Sequence, residues 1–316
     1  MSVMKNPMVS IVVCTYNQEQ WIRQTLDCIL SQRTDYPCEV VIGEDKGTDG
    51  TRAICEEYVK RNTNVKLAPQ ERNLGVTANW INCIKHSSGK YIMSCAGDDY
   101  WHNPNKIQLQ VDFMELHPEC VICHTDIDKL YVKTNHIEKN SYKKHGICPP
   151  EGRIQHNVLK QNGHICAVTA CFRRDCFEEH VPVDKFVELD FPREDWPTWL
   201  IMAAYGDIRY IPESTATYRV GQVSITRKAD YEAIRRQYQK EKKMGEFLYS
   251  LFPEWGAFED GTENDMWHQL LLAAYRNDDY ESAREFAKYD KNKSKAKYMV
   301  RTPISFKFYR SLLMKR

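Results

Sequence analysis

The chain has 316 residues, 42% of them hydrophobic and 28% charged, with a formal net charge of +1. That length holds one large domain, or one domain plus an appendage, and the near-neutral balance gives no case for nucleic acid as a partner. No apolar run approaches the roughly 18 residues of a membrane span, and no signal-peptide pattern precedes the first strand, so a cytoplasmic setting is expected.

Val9–Cys14 (VSIVVC) is apolar throughout, as in a strand buried on both faces of a parallel sheet. Thr15, Tyr16 and Asn17 form its carboxyl-end loop, and a helix follows with Ile22, Leu26, Ile29 and Leu30 on one face. A second strand, EVVIG, ends in a polar turn that begins Glu44-Asp45. A helix over 52–61, a strand over 65–68 and the loop QERNLGVT, with Asn73 and Gly75, come next. Val76, Trp80, Cys83 and Ile84 mark another helix face.

The stretch KYIMSCAGDDYW (90–101) is a short buried strand that breaks at Gly97 and is followed by Asp98 and Asp99. Asn103-Pro104 reads as an N-cap and first residue of a helix running to Leu116. The two aspartates thus sit at the carboxyl end of a strand, where open α/β sheets bind ligands. Adjacent carboxylates repel, and one protonates unless a cation or a donor-rich ligand lies between them. Hard oxygen ligands suit Mg²⁺ or Mn²⁺. The alternative is a solvated turn rich in Asp.

Residues 120–125 complete the sheet core, and 131–151, Lys-rich and aperiodic, read as a surface loop. A short helix over 154–161 and a strand over 165–172 follow. Arg193-Glu194-Asp195-Trp196-Pro197 then leads into a helix, and 208–211 and 215–220 read as edge strands. All twelve cysteines lie between Cys14 and Cys176, mostly inside apolar patterns, and reduced thiols are expected. Cys120, Cys123 and His124 fit the CxxCH spacing of haem attachment, but the same residues read as a strand after a helix. From about residue 228 the texture becomes helical: a charged helix over 231–251, then a hairpin over 266–276 and 280–289.

Alternating strands and helices imply an α/β fold with a doubly wound, mostly parallel, Rossmann-like sheet. Four loops lie on its carboxyl edge. No GxGxxG follows the first strand and no nucleophile sits beside a His, which argues against dinucleotide binding and against a hydrolase triad.

Five segments in this order resemble the family 2 inverting glycosyltransferases of GT-A fold: VSIVVCTYNQEQWIRQTLDCILSQ, GEDKGTDGT, RNLGVTANWINCIKHSSGKYI, GDDYW and REDWPTWL. The resemblance covers roughly residues 8–226. It implies a GT-A domain over 1–227, with a nucleotide-binding half (1–126) and an acceptor-side half (127–227), and a helical C-terminal region over 228–316. It implies a donor of UDP- or dTDP-sugar type and a saccharide or lipid-linked saccharide acceptor, as in O-antigen or capsule synthesis. By resemblance Thr15, Tyr16, Asn17, Glu44, Asp45, Asn73, Gly75 and Asp98 bind the nucleotide, Tyr16 packing on the base and Asp45 meeting its edge. Asp99 and Asp98 hold Mn²⁺ or Mg²⁺, and Asp195, with Glu194 second, is the base. An N-cap role for Asp195 is the structural alternative. Relatives often read YRxH where this chain has Tyr218, Arg219, Val220 and Gly221, so Arg219 would have to serve the diphosphate.

Two rival functions remain: a nucleotide binder without chemistry, against which the intact acids speak, and a nucleotidyltransferase, which would carry a glycine-rich phosphate loop after the first strand. The tail, 291–316, has nine Lys/Arg and no Asp/Glu, interleaved with Ile304, Phe306, Phe308, Tyr309, Leu312 and Leu313. It marks either a peripheral membrane contact or a helix packed on its own domain.

Overall fold

The computed structural model describes residues 8–149, 151–154, 165–221, 230–292 and 294–313. The chain divides into two units, Met1–Glu188 with Arg193–Gln222, and Leu189–Pro192 with Val223–Arg316.

The first unit opens with β1 (Val9–Thr15), α1 (Glu19–Leu30), β2 (Cys38–Glu44), α2 (Thr51–Arg61), β3 (Val65–Leu67), α3 (Val76–Lys85) and β4 (Tyr91–Ala96). β1 pairs in parallel with β2 and with β4, and β2 with β3. Val12 and Val41 point to one face and Ile11, Val13 and Ile42 to the other, and all are buried. The apolar stripes of α1 (Ile22, Leu26, Ile29) and α3 (Trp80, Cys83, Ile84) are buried as well. Register aligns the carboxyl ends: Thr15 lies beside Glu44, and Cys14 beside Ala96. The loops after β1, β2 and β4 therefore leave the sheet side by side.

Beyond β4 the structure departs from the sequence reading. It continues with β5 (Tyr100–Trp101), α4 (Lys106–Leu116), β6 (Cys120–Tyr131), β7 (His136–Glu138), α5 (Ser141–Lys144), β8 (Cys171–Arg173), α6 (Arg174–His180), α7 (Val183–Glu188), α8 (Asp195–Met202) and β9 (Asp207–Val220). Among the described residues the sheet has nine strands, ordered β3-β2-β1-β4-β8-β6-β9-β5, with β7 on β6. The expected strand over 165–172 is a 3₁₀ turn, Ala167–Thr169, followed by short β8, which runs antiparallel between β4 and β6.

The two expected edge strands are one interior strand, β9, parallel to β6 and covered on its far side by β5. Pro212 and Glu213 are skipped in the pairing, so a bulge takes the proline that cannot donate to the ladder. The expected loop over 131–151 contains β7 and α5. Asp126 Oδ1 accepts from the Tyr142 amide at 2.9 Å and Asp128 Oδ1 from the Asn140 amide at 2.9 Å, which ties the segment to β6. α4 starts at Lys106, because the Asn103 side chain accepts from the Asn105 amide at 2.8 Å and holds 103–105 as a turn. The helix expected over 154–161 falls almost wholly outside the described residues. Cys120, Cys123 and His124 are buried along β6, as the strand reading requires.

The second unit comprises α9 (Tyr231–Leu251), α10 (Thr262–Arg276), α11 (Tyr280–Tyr289), α12 (Lys295–Met299) and α13 (Pro303–Leu313). Asp230 caps α9 by accepting from the amides of Glu232 (2.9 Å) and Ala233 (3.2 Å), and Asp279 caps α11 from Ser282 (3.0 Å). Leu270, Leu271, Ala274, Ala283 and Phe286 form a buried seam.

Gly43 fixes how closely α3 approaches β2. A Cβ there would lie 2.2 Å from Asn79 Oδ1 and 2.5 Å from Cys83 Sγ. Asn79 Nδ2 also donates to Gly43 O at 2.7 Å. Gly43→Ala should therefore destabilise the chain by about 1–3 kcal/mol, read as a lower urea midpoint at unchanged slope. An unchanged midpoint would contradict this contact.

Candidate active site

Three loops at the carboxyl edge are laced together by side chains. Glu44 is buried, and its Oε1 accepts from the Gly47 amide at 2.7 Å. Asn17, held at φ +52°, accepts from the Thr48 amide at 2.7 Å. Glu19 accepts from the Gly50 amide at 2.9 Å, and the Gln18 amide donates to Thr51 Oγ1 at 2.8 Å. The first loop and the second turn are thus one body.

Asp45 joins the third loop to them. Its Oδ1 accepts from the Leu74 amide (2.7 Å) and Gln70 Nε2 (2.9 Å), and its Oδ2 from the Gly75 amide (2.9 Å). Asn73 Nδ2 donates to Asp45 O at 2.8 Å, and Gly75 sits at φ +82°. Asn17, Glu44, Asp45, Asn73 and Gly75 therefore all hold loop geometry. Tyr16, 48% exposed, projects from this frame, while Thr15 is buried with an unpartnered hydroxyl.

Asp98 and Asp99 follow β4 directly. Asp99 is buried, and its Oδ1 accepts from the Arg219 amide at 2.9 Å. Burial first, and the Asp98 charge second, hold its carboxyl well above the usual range. Burial also raises Asp98, against the pull of its own amide, Arg219 and Gln18. The Thr25 hydroxyl lies 2.6 Å from Asp99 O and 3.0 Å from Gly97 O, pinning the turn to α1.

Arg219 organises the same turn. It is 3% exposed, with its guanidinium carbon 4.4 Å from the Trp21 ring centroid and 4.8 Å from that of Tyr100. It donates to Asp98 O and to Gln24 Oε1, and its Nε is buried without a partner. The guanidinium is thus held by the protein on two sides. Gly221, where relatives often carry His, sits at φ +101°, a conformation that would strain any side chain.

Glu194 and Asp195 open α8. Glu194 occupies the cap position without a side-chain cap bond, and Asp195 Oδ1 accepts from the adjacent Trp196 amide at 2.7 Å. Burial, then the Asp195 charge, push Glu194 from 4.5 to about 8. The two acid pairs act on shared neighbours. Burial, then the charges of Asp99 and Asp195, raise the Cys166 thiol to about 12. Tyr218 is raised to about 12 by burial and by a set of charges that includes Asp99, Asp98 and Asp195. Cys14, raised mainly by its side-chain hydrogen bond with Cys83 and by burial, also feels Glu194 and Asp45. The structure therefore brings the Asp98–Asp99 and Glu194–Asp195 pairs and Asp45 into one electrostatic neighbourhood.

Whether these residues suit a divalent cation turns on their donor chemistry. Among the described residues no cluster of three or more His, Cys, Asp or Glu is arranged to hold a metal. Two carboxylates raised first by burial, with the unpartnered Thr15 Oγ1 and Gln18 Oε1 close by, still make a hard-oxygen set. Gly97 brings them together, since a Cβ there would lie 2.5 Å from each of those two atoms. That set fits a cation that completes its shell with substrate phosphates.

Sequence reasoning missed Gln18, Trp21, Gln24, Thr25, Gln70 and Tyr100. Thr25 carried a signal: it is a polar residue on the apolar face of Ile22, Leu26 and Ile29.

A model of glycosyl transferase family 2 matches residues 10–181, more than half of the chain. An uncharacterized protein of Mycobacterium tuberculosis is 30% identical over 215 residues, 67% of this chain, and the chain spans only 58% of that relative's length. The Escherichia coli UDP-Glc:alpha-D-GlcNAc-diphosphoundecaprenol beta-1,3-glucosyltransferase WfgD is 25% identical over 250 residues, covering 78% of this chain and 88% of WfgD. The mannosyltransferase PcManGT of Pyrobaculum calidifontis, solved with GDP-Man and Mn²⁺, aligns with a TM-score of 0.53 at 15% identity, over 98% of this chain and 85% of its own. That likeness is one of fold, the GT-A arrangement expected from the sequence.

Glu194 supplies a test by linkage. Its folded value of about 8 lies above the ordinary 4.5, so the folded chain keeps a proton that the unfolded chain releases. The associated stability is complete below pH 4.5 and is lost as pH rises through 8. Glu194→Gln, neutral throughout, should remove this part of the decline, so the Tm gap between variant and parent should widen in the variant's favour from about pH 5 to 8. Parallel Tm curves would show that Glu194 does not hold the proton.

Proposed function

This chain belongs to glycosyl transferase family 2, and from that membership we propose that it moves a sugar, with inversion, from a UDP- or dTDP-sugar to a hydroxyl of a saccharide or lipid-linked saccharide. The proposed setting is bacterial surface-polysaccharide synthesis (O-antigen or capsule) at the cytoplasmic face of the membrane. The observation that supports this reading is that Asp98 and Asp99, directly after β4, and Asp195, at the start of α8, act on the same neighbours: Asp99 and Asp195 on Cys166, and all three on Tyr218. The lipid-linked acceptor in the name of WfgD and the nucleotide sugar bound to PcManGT support the substrate class.

In the proposed reaction the exposed ring of Tyr16 packs on the nucleobase. Asp45, with Thr15, Asn17, Glu44, Asn73 and Gly75, builds the loop frame that receives the base and ribose, and Asp98 borders the ribose. Residues 1–126 supply this donor side and 127–227 the acceptor side. Asp99 and Asp98 would hold Mn²⁺ or Mg²⁺, which when bound supplies Lewis-acid stabilisation of the departing diphosphate. Arg219 fixes the turn that presents both carboxylates. Asp195 takes the acceptor hydroxyl's proton as that oxygen bonds to the anomeric carbon, from the face opposite the diphosphate. The bond from carbon to the phosphate oxygen breaks, and its electron pair leaves with the nucleoside diphosphate. Glu194, held protonated at neutral pH beside the charge of Asp195, donates rather than accepts.

A panel of nucleotide sugars, followed by release of nucleoside diphosphate, tests the class. Release should require Mn²⁺ or Mg²⁺, stop with EDTA, and nearly vanish in Asp99→Asn. Full activity in EDTA would remove the metal assignment, and no turnover of any donor with saccharide or lipid-linked acceptors would remove the transfer reading.

Asp195→Asn should lower kcat by about 10²–10⁴-fold while leaving nucleotide affinity nearly unchanged, since proton transfer acts only in the transition state. Weakened nucleotide binding with normal turnover of bound substrate would make Asp195 structural.

A further inference from the structure

In the second unit, α13 carries two apolar faces. At about 100° per residue, Phe306, Tyr309 and Leu313 fall on one side, and Ile304, Phe308 and Leu312 on the other. The first side is packed. Phe306, 1% exposed, stacks on Tyr275 at 4.5 Å and meets Tyr280 edge-on at 5.4 Å. Tyr309 meets Tyr275 edge-on at 5.1 Å. Ser305 Oγ donates to Met299 O at 2.8 Å, and Arg310 Nε to Tyr275 O at 3.1 Å. The helix is therefore fixed in orientation, and the second side is not free to turn inward.

That second side is open: Ile304 is 82%, Phe308 59% and Leu312 45% exposed. The three stand four residues apart, in a row about 12 Å long. Lys307 and Ser311 flank the row. A solvated face would carry polar residues at these positions. The segment 291–316 holds nine Lys/Arg and no Asp/Glu in a chain of net charge +1, so the remainder of the chain carries a net charge of −8. The exposed apolar row of α13 thus lies within a basic segment of the chain.

We propose that Ile304, Phe308 and Leu312 insert into an anionic lipid surface, with Lys307 and the neighbouring basic residues at the headgroups. Charge complementarity selects this occupant. A second copy docking through the same face would oppose two strongly basic segments. A nucleic acid would use the charge but leave the apolar row in water. The attachment goes beyond the transfer reaction and stands without it. No described helix is long and apolar enough to cross a membrane, so the contact is peripheral.

Co-sedimentation of the full chain with vesicles tests it. One set contains phosphatidylcholine alone, the other phosphatidylcholine with phosphatidylglycerol, each at low and high salt. The chain should sediment with the anionic vesicles at low salt and be released by salt. The combined variant Ile304→Ser, Phe308→Ser, Leu312→Ser should lose partitioning about tenfold or more, with an unchanged Tm because all three side chains are exposed. The double variant Lys295→Glu, Lys307→Glu should lose it as well, and decides the matter if the triple variant misfolds. Four results would overturn the proposal: no sedimentation of the parent chain, equal binding to neutral vesicles, unchanged binding of the variants, or a dimer in size-exclusion chromatography that the triple variant breaks.

Discussion

The buried charge of Asp99 is the constraint from which the rest of the site follows. A carboxylate removed from water beside a second carboxylate is unstable unless donors or positive charge compensate it. The fold supplies compensation from opposite ends of the sequence. Pairing of β5 with β9 places Thr217 beside Tyr100, and two residues later the Arg219 amide reaches Asp99 Oδ1. α1 contributes Thr25 to the backbone oxygens of Gly97 and Asp99, and Gln24 to the Arg219 guanidinium. These contacts position the pair without neutralising it, since the Asp99 carboxyl still lies well above its ordinary range. A turn built this way keeps an unmet demand for positive charge, which is the property that a diphosphate-binding cation site requires.

The loops proposed to receive the nucleotide obey a different constraint. They must stand rigid while leaving surface for a ligand. Asp45 receives three donors from residues 70–75, and Glu44 and Asn17 hold the 47–48 turn. Most polar side chains of these motifs are therefore spent on backbone amides. What remains for a ligand is the ring of Tyr16 and the outward edges of a fixed frame. Pre-organisation of this kind lowers the ordering entropy of binding, and it lets a side chain be essential to a nucleotide site without touching the nucleotide.

The half over residues 1–126 was legible because its strands are buried on both faces and its helices carry clean apolar stripes. β1, β2 and β4 fall within a residue or so of their expected bounds, and α1 buries Ile22, Leu26 and Ile29 of its expected apolar face. The later half was not, for physical reasons. Pro212 interrupts the pattern of β9, so one bulged strand looks like two. β8 is three residues long and is inserted between β4 and β6 by non-local pairing that no periodicity reports. The segment 136–144 is held by Asp126 and Asp128, buried carboxylates that composition cannot tell from solvated ones. Asp98, Asp99, Glu194 and Asp195 stood out as adjacent acids after apolar or capping signals. The place of Arg219 between Trp21 and Tyr100 did not, because it depends on residues 198 and 119 positions away.

The two acid pairs present one electrostatic problem with two resolutions. At Asp98–Asp99 the surroundings are rich in donors, an arginine lies close and two oxygen atoms have no partner. In the proposed reaction a bound cation would supply the positive charge that these oxygens lack. At Glu194–Asp195 the charge of Arg193 only partly offsets burial and the Asp195 charge, so Glu194 is carried to about 8. There the cheaper resolution is a proton on Glu194, which leaves the negative charge to Asp195. Environments that separate two acids in this way assign them different chemical roles. In the proposed transfer, the first pair then faces the charge that leaves with the diphosphate, and the second faces the proton that leaves the acceptor. The asymmetry follows from burial and neighbours alone, since the four side chains are chemically all but the same.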